Sequence, residues 1–415
     1  MQVRFPHSAG LDVHKASVVA NIITGQDEKG NHVYEGKRFG TMTRDLLQLA
    51  DWLQERGITH VAMESTGEYW KPVYNLLEDI FTIFVVNARH AKNVPGRKTD
   101  ENDSQWLTQL MTYGLLAASF IPPQGQRELR EMTRARASMV RERVNLANRL
   151  QKTLESANIK LTCVLTDIQG KSARSMLAAL VNGQTDTEAI ADLARGRLRS
   201  KIADLERALE GRFKETHRFI VGELLTQIDG LDESIARFDE QIERMCIPFE
   251  RAVAHVDTIP GIAKTAASQI VAEIGTDMSV FASDRHISAW AGVAPGNNES
   301  AGKVLSSRVR QGNRSLKRAL IEAAHAAVRT KDTYLSAQYH RLVGRRGKRR
   351  AIVAVAHSIL VIAYHLIKRD EDYKELGANY FDTRQPVKTV QNLVHRLQQL
   401  GYNVHLDSKV EPAAA

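Results

Sequence analysis

The rhythm of apolar and polar positions changes along the chain, and each change predicts an element. "AGLDVHKASVVANIIT" (residues 9–24) is an apolar run, a polar tip from Asp12 to Lys15, and a second β-branched run. That pattern predicts two antiparallel strands. "HVYEGKRFG" predicts a third strand, and "TRDLLQLADWLQERG" has helical spacing with a Gly stop. "THVAMES" reads as a short buried strand ending at Glu64, "YWKPVYNLLEDI" as helix and "FTIFVVN" as a further strand. Three strands followed by alternating helix and strand predict an RNase H-like order.

After residue 125 the pattern becomes helical. "RELREMTRARASMVRERVNLANRLQKTLESANI" has no Pro or Gly and predicts one long helix, and "IQGKSARSMLAALVNGQTD" interrupts it. A second long helical run covers Asp192 to Met245. Leu224, Ile228, Leu231, Ile235, Phe238, Ile242 and Met245 alternate steps of four and three, which predicts an antiparallel coiled coil with the first long helix. A single helix packed on its own domain would also use such a stripe. "IPGIAKTAASQIV" has the pattern of a helix-hairpin-helix, whose turn amides can hold a phosphate, and an ordinary packing turn fits as well. A Gly/Asn/Ser-rich loop from Gly296 to Gly302 precedes a basic helix starting after Gly312. "HRLVGRRGKRRAIVAVAHSILVIAYHLI" joins a basic turn to an apolar helix, and "VKTVQNLVHRLQQLG" predicts a short amphipathic tail helix. The expected division is 1–125, 126–250, 251–370 and a tail 371–415. The fold class is α/β plus α.

Composition narrows the class. Apolar residues make up 43% and charged residues 25% of 415, which suits a globular protein. No apolar run is expected to span a bilayer, the N-terminus lacks a secretory signal core, and two distant cysteines fit a reducing cytoplasm. The net charge of +9 matters mainly through its clusters, at Arg127, Arg130 and Arg134 and in "GRRGKRR" with Arg345 and Arg346. A nucleic-acid partner fits these clusters, and so does a solvated basic face.

Candidate chemistry sits at the strand ends. Asp12 closes the first strand, Glu64 the fourth, and Asp100 and Asp103 lie three apart in "GRKTDENDSQWL". In an RNase H-like sheet these points are neighbours. Clustered carboxylates repel unless cations bind, and oxygen-only donors suit Mg²⁺ or Mn²⁺. Two such ions about 4 Å apart clamp a scissile phosphate. Each acid also has a plainer role: turn residue, helix cap, or partner of a helix dipole.

"GLDVHK", "AMESTGEYW" and "KTDENDSQWL" resemble the DEDD motifs of the IS-one-ten family of insertion-sequence transposases, also called bridge-RNA-guided recombinases. "IPGIAKTAASQIVAEIG", "FASDRHISAWAGVAPGNNESAGK" and "QGNRSLKRALIEAA" resemble that family's C-terminal domain. The resemblance implies a RuvC-like N-terminal domain, a coiled coil for dimerisation and a serine-bearing transposase domain. It implies metal binding by Asp12, Glu64, Asp100 and Asp103, with two Mg²⁺ (or Mn²⁺) per site. It implies that Ser300 is the nucleophile, with Ser306 and Ser307 as local alternatives. Lys98, Lys264, Lys303, Arg308, Arg310, Arg314 and Lys317 join the arginines above as candidate nucleic-acid contacts. The implied reaction is DNA strand exchange that excises and inserts an element through a phosphoserine. Donor and target DNA, a noncoding guide RNA and further copies of the chain, as dimer or tetramer, are the implied partners, in a bacterial cytoplasm. Rival readings are a metal-dependent nuclease or resolvase using water, a nucleic-acid scaffold, and a sugar-kinase-like ATPase. The last lacks the expected phosphate loops.

Overall fold

The computed structural model describes residues 2–65, 67–87, 103–296, 298–300, 303–306, 309 and 311–406, with only the backbone at 298–300, 304 and 305. The chain divides into two compact units, Met1–Ile121 and Pro122–Ala415.

In the first unit β1 (Ser8–Val13), β2 (Ser17–Gln26), β3 (His32–Gly40), β4 (His60–Glu64) and β5 (Thr82–Val86) form one sheet in the order β3-β2-β1-β4-β5. β1 and β2, and β2 and β3, pair antiparallel, while β1–β4 and β4–β5 pair parallel. This is the order expected of an RNase H-like sheet. The antiparallel pairs need only tight turns, whereas each parallel pair needs a helical crossover. The crossovers are α1 (Thr43–Glu55) and α2 (Trp70–Leu77). Residues alternate between faces. Ala9, Leu11, Val61 and Met63 join Leu46, Leu49, Leu53 and Leu77 in one core. Ala62 and Val86 face the other way, onto Leu107, Leu110 and Met111 of α3 (Asp103–Thr112).

The second unit is helical. Its long helices are α4 (Gln124–Ser156) and, after the short α5 (Leu161–Val164), α6 (Lys171–Val181), α7 (Thr187–Ala191) and α8 (Ile202–Leu209), α9 (Glu215–Met245). Arg136 pairs with Asp239 and Arg143 with Asp232, so α4 and α9 run antiparallel. Leu224 and Ile228 are buried, and Leu231, Ile235 and Phe238 are half-buried. The small helices between them share a core through Leu150, Leu161, Leu177, Ile190, Leu205 and Val221.

The helical run expected from Asp192 to Met245 begins only at Ile202, after turns and a 3-10 stretch at Gly196–Lys201, and is broken again at 210–214. A Cβ at Gly211 would stand 2.5 Å from the Ala157 carbonyl oxygen, to which Arg212 donates its amide at 2.8 Å. Close backbone approach there replaces the helix. The stretch expected only to interrupt the helices contains α6.

The rest of the unit comprises α10 (Glu250–Asp257), α11 (Lys264–Ile274), α12 (Asp284–Ala291), a hairpin of β6 (Asn298–Ser300) and β7 (Lys303–Ser306), α13 (Arg314–Ala327), α14 (Tyr334–Arg346), α15 (Lys348–Arg369), α16 (Tyr380–Arg384) and α17 (Pro386–Gln399). α15 is long and apolar enough to cross a bilayer, contrary to expectation. Its apolarity has another use here: Ala351, Val355, Ile359, Leu360 and Ala363 are buried in the unit's core.

Candidate DNA-processing site

Asp12 and Glu64 are placed by strand pairing. Leu11 stands opposite Met63 in the parallel β1–β4 ladder, so Asp12 and Glu64 are the next positions on neighbouring strands. Both belong to the face that carries Gly10 and Ala62, which α3 covers. The Asp12 carboxylate is 30% exposed and meets the His14 ring at 3.0 Å. Glu64 is half-buried.

A buried polar seam sets how α3 lies on the sheet. Asn21 donates to the Ser104 hydroxyl at 2.6 Å, and Thr108 donates to the Asn21 carbonyl at 2.9 Å. The Ser8 and Thr112 hydroxyls bond at 2.8 Å. Ser104, Thr108 and Thr112 are four apart and share one helix face. Thr112 therefore lies at the start of β1 and Ser104 towards its end, so α3 runs antiparallel to β1. Gly10 permits the contact: a Cβ there would come within 2.2 Å of the Ser104 carbonyl oxygen and 2.6 Å of the Thr108 amide nitrogen. The result brings Asp103, in the first turn of α3, to the end of the sheet where Asp12 and Glu64 stand. There the helix dipole favours a negative side chain. Asp100 and Lys98 lie outside the described residues.

These donors are hard carboxylate oxygens, which fit a small divalent cation better than a soft metal. Among the described residues no group of three or more acidic, His or Cys side chains is already gathered closely enough to hold one.

In the second unit Ser300 ends β6 and pairs in register with Lys303 of β7. The segment carrying this hairpin is pinned at its base. Gly292 caps α12 in the left-handed region, at φ 72°. Gly312 passes so close that a Cβ would lie 2.3 Å from the Gly292 nitrogen and 2.5 Å from the Trp290 carbonyl oxygen. Asn313 then caps α13, accepting from the Ser315 and Leu316 amides at 3.1 Å. Its amide nitrogen donates to Glu273 at 2.6 Å. Arg314 and Lys317 follow in the first turns of α13, Arg314 exposed and Lys317 half-buried; Lys303 is exposed, and Arg308 and Arg310 lie outside the described residues. Ser306 ends β7, and Ser307 lies outside the described residues.

Glu273 is a fully buried carboxylate that sequence reading passed over. Arg134 binds it with two hydrogen bonds of 2.7 and 2.8 Å, and Arg130 approaches to 3.3 Å. Arg130 also donates to the Glu273 carbonyl at 2.7 Å. Burial pushes the Arg130 guanidinium down to about 10, partly offset by the Glu273 charge. Two of the arginines expected to face nucleic acid thus tie α4 to α11, and Arg127 donates to the Pro122 carbonyl at 2.9 Å. Lys264 pairs with Glu243, whose hydrogen bond raises the lysine above its ordinary range. Arg345 and Arg346 are exposed at the end of α14. The Pro-Gly turn between α10 and α11 puts Gly261 at φ 83°, and a Cβ there would meet the Ala327 nitrogen at 2.3 Å. That turn packs on the end of α13. An apolar residue where Glu273 stands would have hidden nothing; an acid inside the apolar run "SQIVAEIG" was the available signal.

Residues 9–159 match a family of transposases of the DEDD, IS110 type, and residues 253–340 match the transposase IS116/IS110/IS902 family. The transposase for insertion sequence element IS1111A of Coxiella burnetii is 25% identical over 295 residues, 70% of this chain and 72% of that protein. A putative transposase, y4pF/y4sB, of Sinorhizobium fredii is 30% identical over 161 residues, 37% of this chain and 38% of the relative. The pilin gene-inverting protein of Moraxella bovis is 28% identical over 149 residues, 34% of this chain and 45% of the relative. The first family match contains the sheet with Asp12, Glu64 and Asp103, and the second contains the hairpin with Ser300. With both matches in this order and together spanning more than half of the residues, the chain belongs to the IS110 family of transposases and is a DNA-recombining enzyme.

Proposed function

We propose that this transposase moves an insertion sequence by strand exchange through a covalent phosphoserine formed by Ser300. The observation that carries the reading is the placement of Asp12 and Glu64 at the ends of neighbouring strands, on the sheet face that α3 covers. Family membership implies dependence on a divalent metal. Asp12, Glu64, Asp103 and Asp100 would hold two Mg²⁺ or Mn²⁺ ions, which supply charge neutralisation on the scissile phosphate.

The serine step balances without any outside reactant. The Ser300 hydroxyl oxygen bonds to phosphorus, and the bond from phosphorus to a bridging sugar oxygen breaks. The serine gives up its proton to a base, and the departing sugar oxygen takes one up. Resealing reverses this: a sugar hydroxyl attacks the phosphoserine, and the serine oxygen leaves and regains a proton. A free serine hydroxyl is a weak nucleophile, so a neighbouring cation or base has to assist it. Lys303, in register with Ser300, and Arg314 at the α13 start are the described cations nearest in sequence. They would hold the DNA backbone and balance developing charge.

We read the antiparallel α4–α9 pair as a coiled coil that joins protomers, since exchanging two duplexes requires several active sites. Sequence choice would come from a noncoding guide RNA, with the protein reading backbone and shape. The exposed basic run at Arg345 and Arg346 supports such contacts.

The test is a denaturant-resistant protein–DNA adduct. Wild-type protein with Mg²⁺ and element-end DNA should form it, and Ser300→Ala should not. Cutting by the wild type without any adduct would overturn the serine reading in favour of water as nucleophile. Loss of joining in Asp12→Ala and Asp103→Ala separates metal chemistry from a passive scaffold.

A further inference from the structure

A cleft of about 300 Å³ lies between α14, α16 and α17, and among the residues discussed above it takes in Arg345. Arg341, Arg345 and Lys388 line it, with a single carboxylate, Asp382. Arg341 and Arg345 are four residues apart and present one face of α14. Among the described residues neither Arg345 nor Lys388 has an ion-pair partner, and the Arg341 guanidinium lies 5.4 Å over the Phe381 ring. The lining therefore carries two more positive than negative charges.

The walls are built rather than accidental. Tyr334 stacks on Phe381 with centroids 5.2 Å apart and meets Tyr380 edge-on at 5.1 Å, which docks α16 against α14. The polar face of α17 then supplies Gln385, Thr389 and Asn392 to the same cleft. Amide and hydroxyl donors beside unpaired guanidinium and ammonium groups are the set that binds phosphate oxygens. Uncompensated like charges held together in a cleft repel unless an anion enters. Beyond the cleft, Arg346, Lys348, Arg349 and Arg350 continue the positive surface, all exposed. A track of this kind suits a polyanion over a small isolated one.

We propose that the α14–α17 cleft is a binding site for the phosphodiester backbone of a nucleic-acid strand, with the tail helix α17 as its second wall. This rests on the nucleic-acid-processing reading and adds the tail to the machinery. The strand is RNA or DNA; the chemistry recognised is the same.

The experiment measures binding of the full chain to a single-stranded RNA and to a duplex DNA across a salt series. The double variant Arg345→Glu with Lys388→Glu removes two phosphate contacts. The log–log salt slope should fall by about 1.4 for a single strand or about 1.8 for duplex DNA. Asp382→Asn should tighten binding, an effect that a purely structural role does not produce. A slope change confined to one probe supports the site and names the strand. Wild-type slope and affinity in the double variant on both probes overturn the cleft. Wild-type protein that binds neither probe overturns the nucleic-acid reading beneath it, a result separable from the first. Urea midpoints equal to wild type show that the double variant is folded, and Arg345→Gln with Lys388→Gln repeats the slope measurement if it is not.

Discussion

Glu273 shows what one buried charge does. Its carboxylate is fully buried and is held by Arg134, Arg130 and the Asn313 side chain, joining α4, α11 and the start of α13. Removing one partner of a buried pair leaves the other charge unpaired in a poor solvent. Glu273→Gln should therefore destabilise the second unit by about 3–5 kcal/mol, read as a lower urea midpoint. An unchanged midpoint would mean that water reaches Arg130. Asp12, by contrast, is partly exposed beside His14, so Asp12→Asn should leave stability nearly unchanged while DNA cleavage is lost. Asp12 and Glu64 were legible from the sequence because each closes an apolar run. Glu273 and Asn313 were not, because their partners lie 139 residues apart in the case of Arg134 and 40 apart between Glu273 and Asn313.

At the scale of elements, the strands and long helices follow from local pattern. β1 alternates because its two faces meet different cores, and α4 lacks any breaker over its length. The break before α9 was missed because a single glycine within a polar stretch looks tolerable until a backbone carbonyl packs on it. Gly10 poses the same problem on the functional face. Gly10→Ala should cost about 1–3 kcal/mol by overpacking against α3. It should also lower the cleavage rate by roughly a hundredfold, because Asp103 moves with the helix. Measured rate and far-UV circular dichroism together check this: wild-type cleavage in a folded variant would show that the α3 position does not matter for the reaction.

At the scale of the whole molecule, charge ties the start of the tail to α10 within the second unit, beside the aromatic contacts of Tyr334 with Tyr380 and Phe381. His255 in α10 bonds Asp372 at 2.7 Å and Asp370 at 3.0 Å, and Arg251 also pairs with Asp370. The Asp372 hydrogen bond is the main cause that raises the His255 imidazole above its ordinary value of 6.5, with Asp370 adding to it and partial burial opposing. A raised value means that the folded clasp favours the protonated ring. Its stabilisation is complete below the unfolded value and fades as pH rises through the higher folded one. Proteolysis of the tail, normalised to an unstructured peptide, should therefore speed up as pH rises above 6.5, and His255→Gln should flatten that dependence. A pH-independent tail in the wild type would place the clasp elsewhere, for example at Tyr373, whose amide donates to Thr258.

The sequence by itself determined most of the element types, the family and the strand-end placement of Asp12 and Glu64, because periodicity and short-range spacing are local properties of a chain; the loop expected from Gly296 to Gly302 instead holds β6, because strand pairing depends on a partner segment. Only the tertiary structure decided that α3 lies antiparallel to β1, that Arg130 and Arg134 turn inward to Glu273, and that Arg341, Arg345 and Lys388 line one cleft. Each of these depends on which side chain a distant partner meets. A basic residue on a helix reads the same in sequence whether it faces solvent, a phosphate or a buried carboxylate, and packing selects among them.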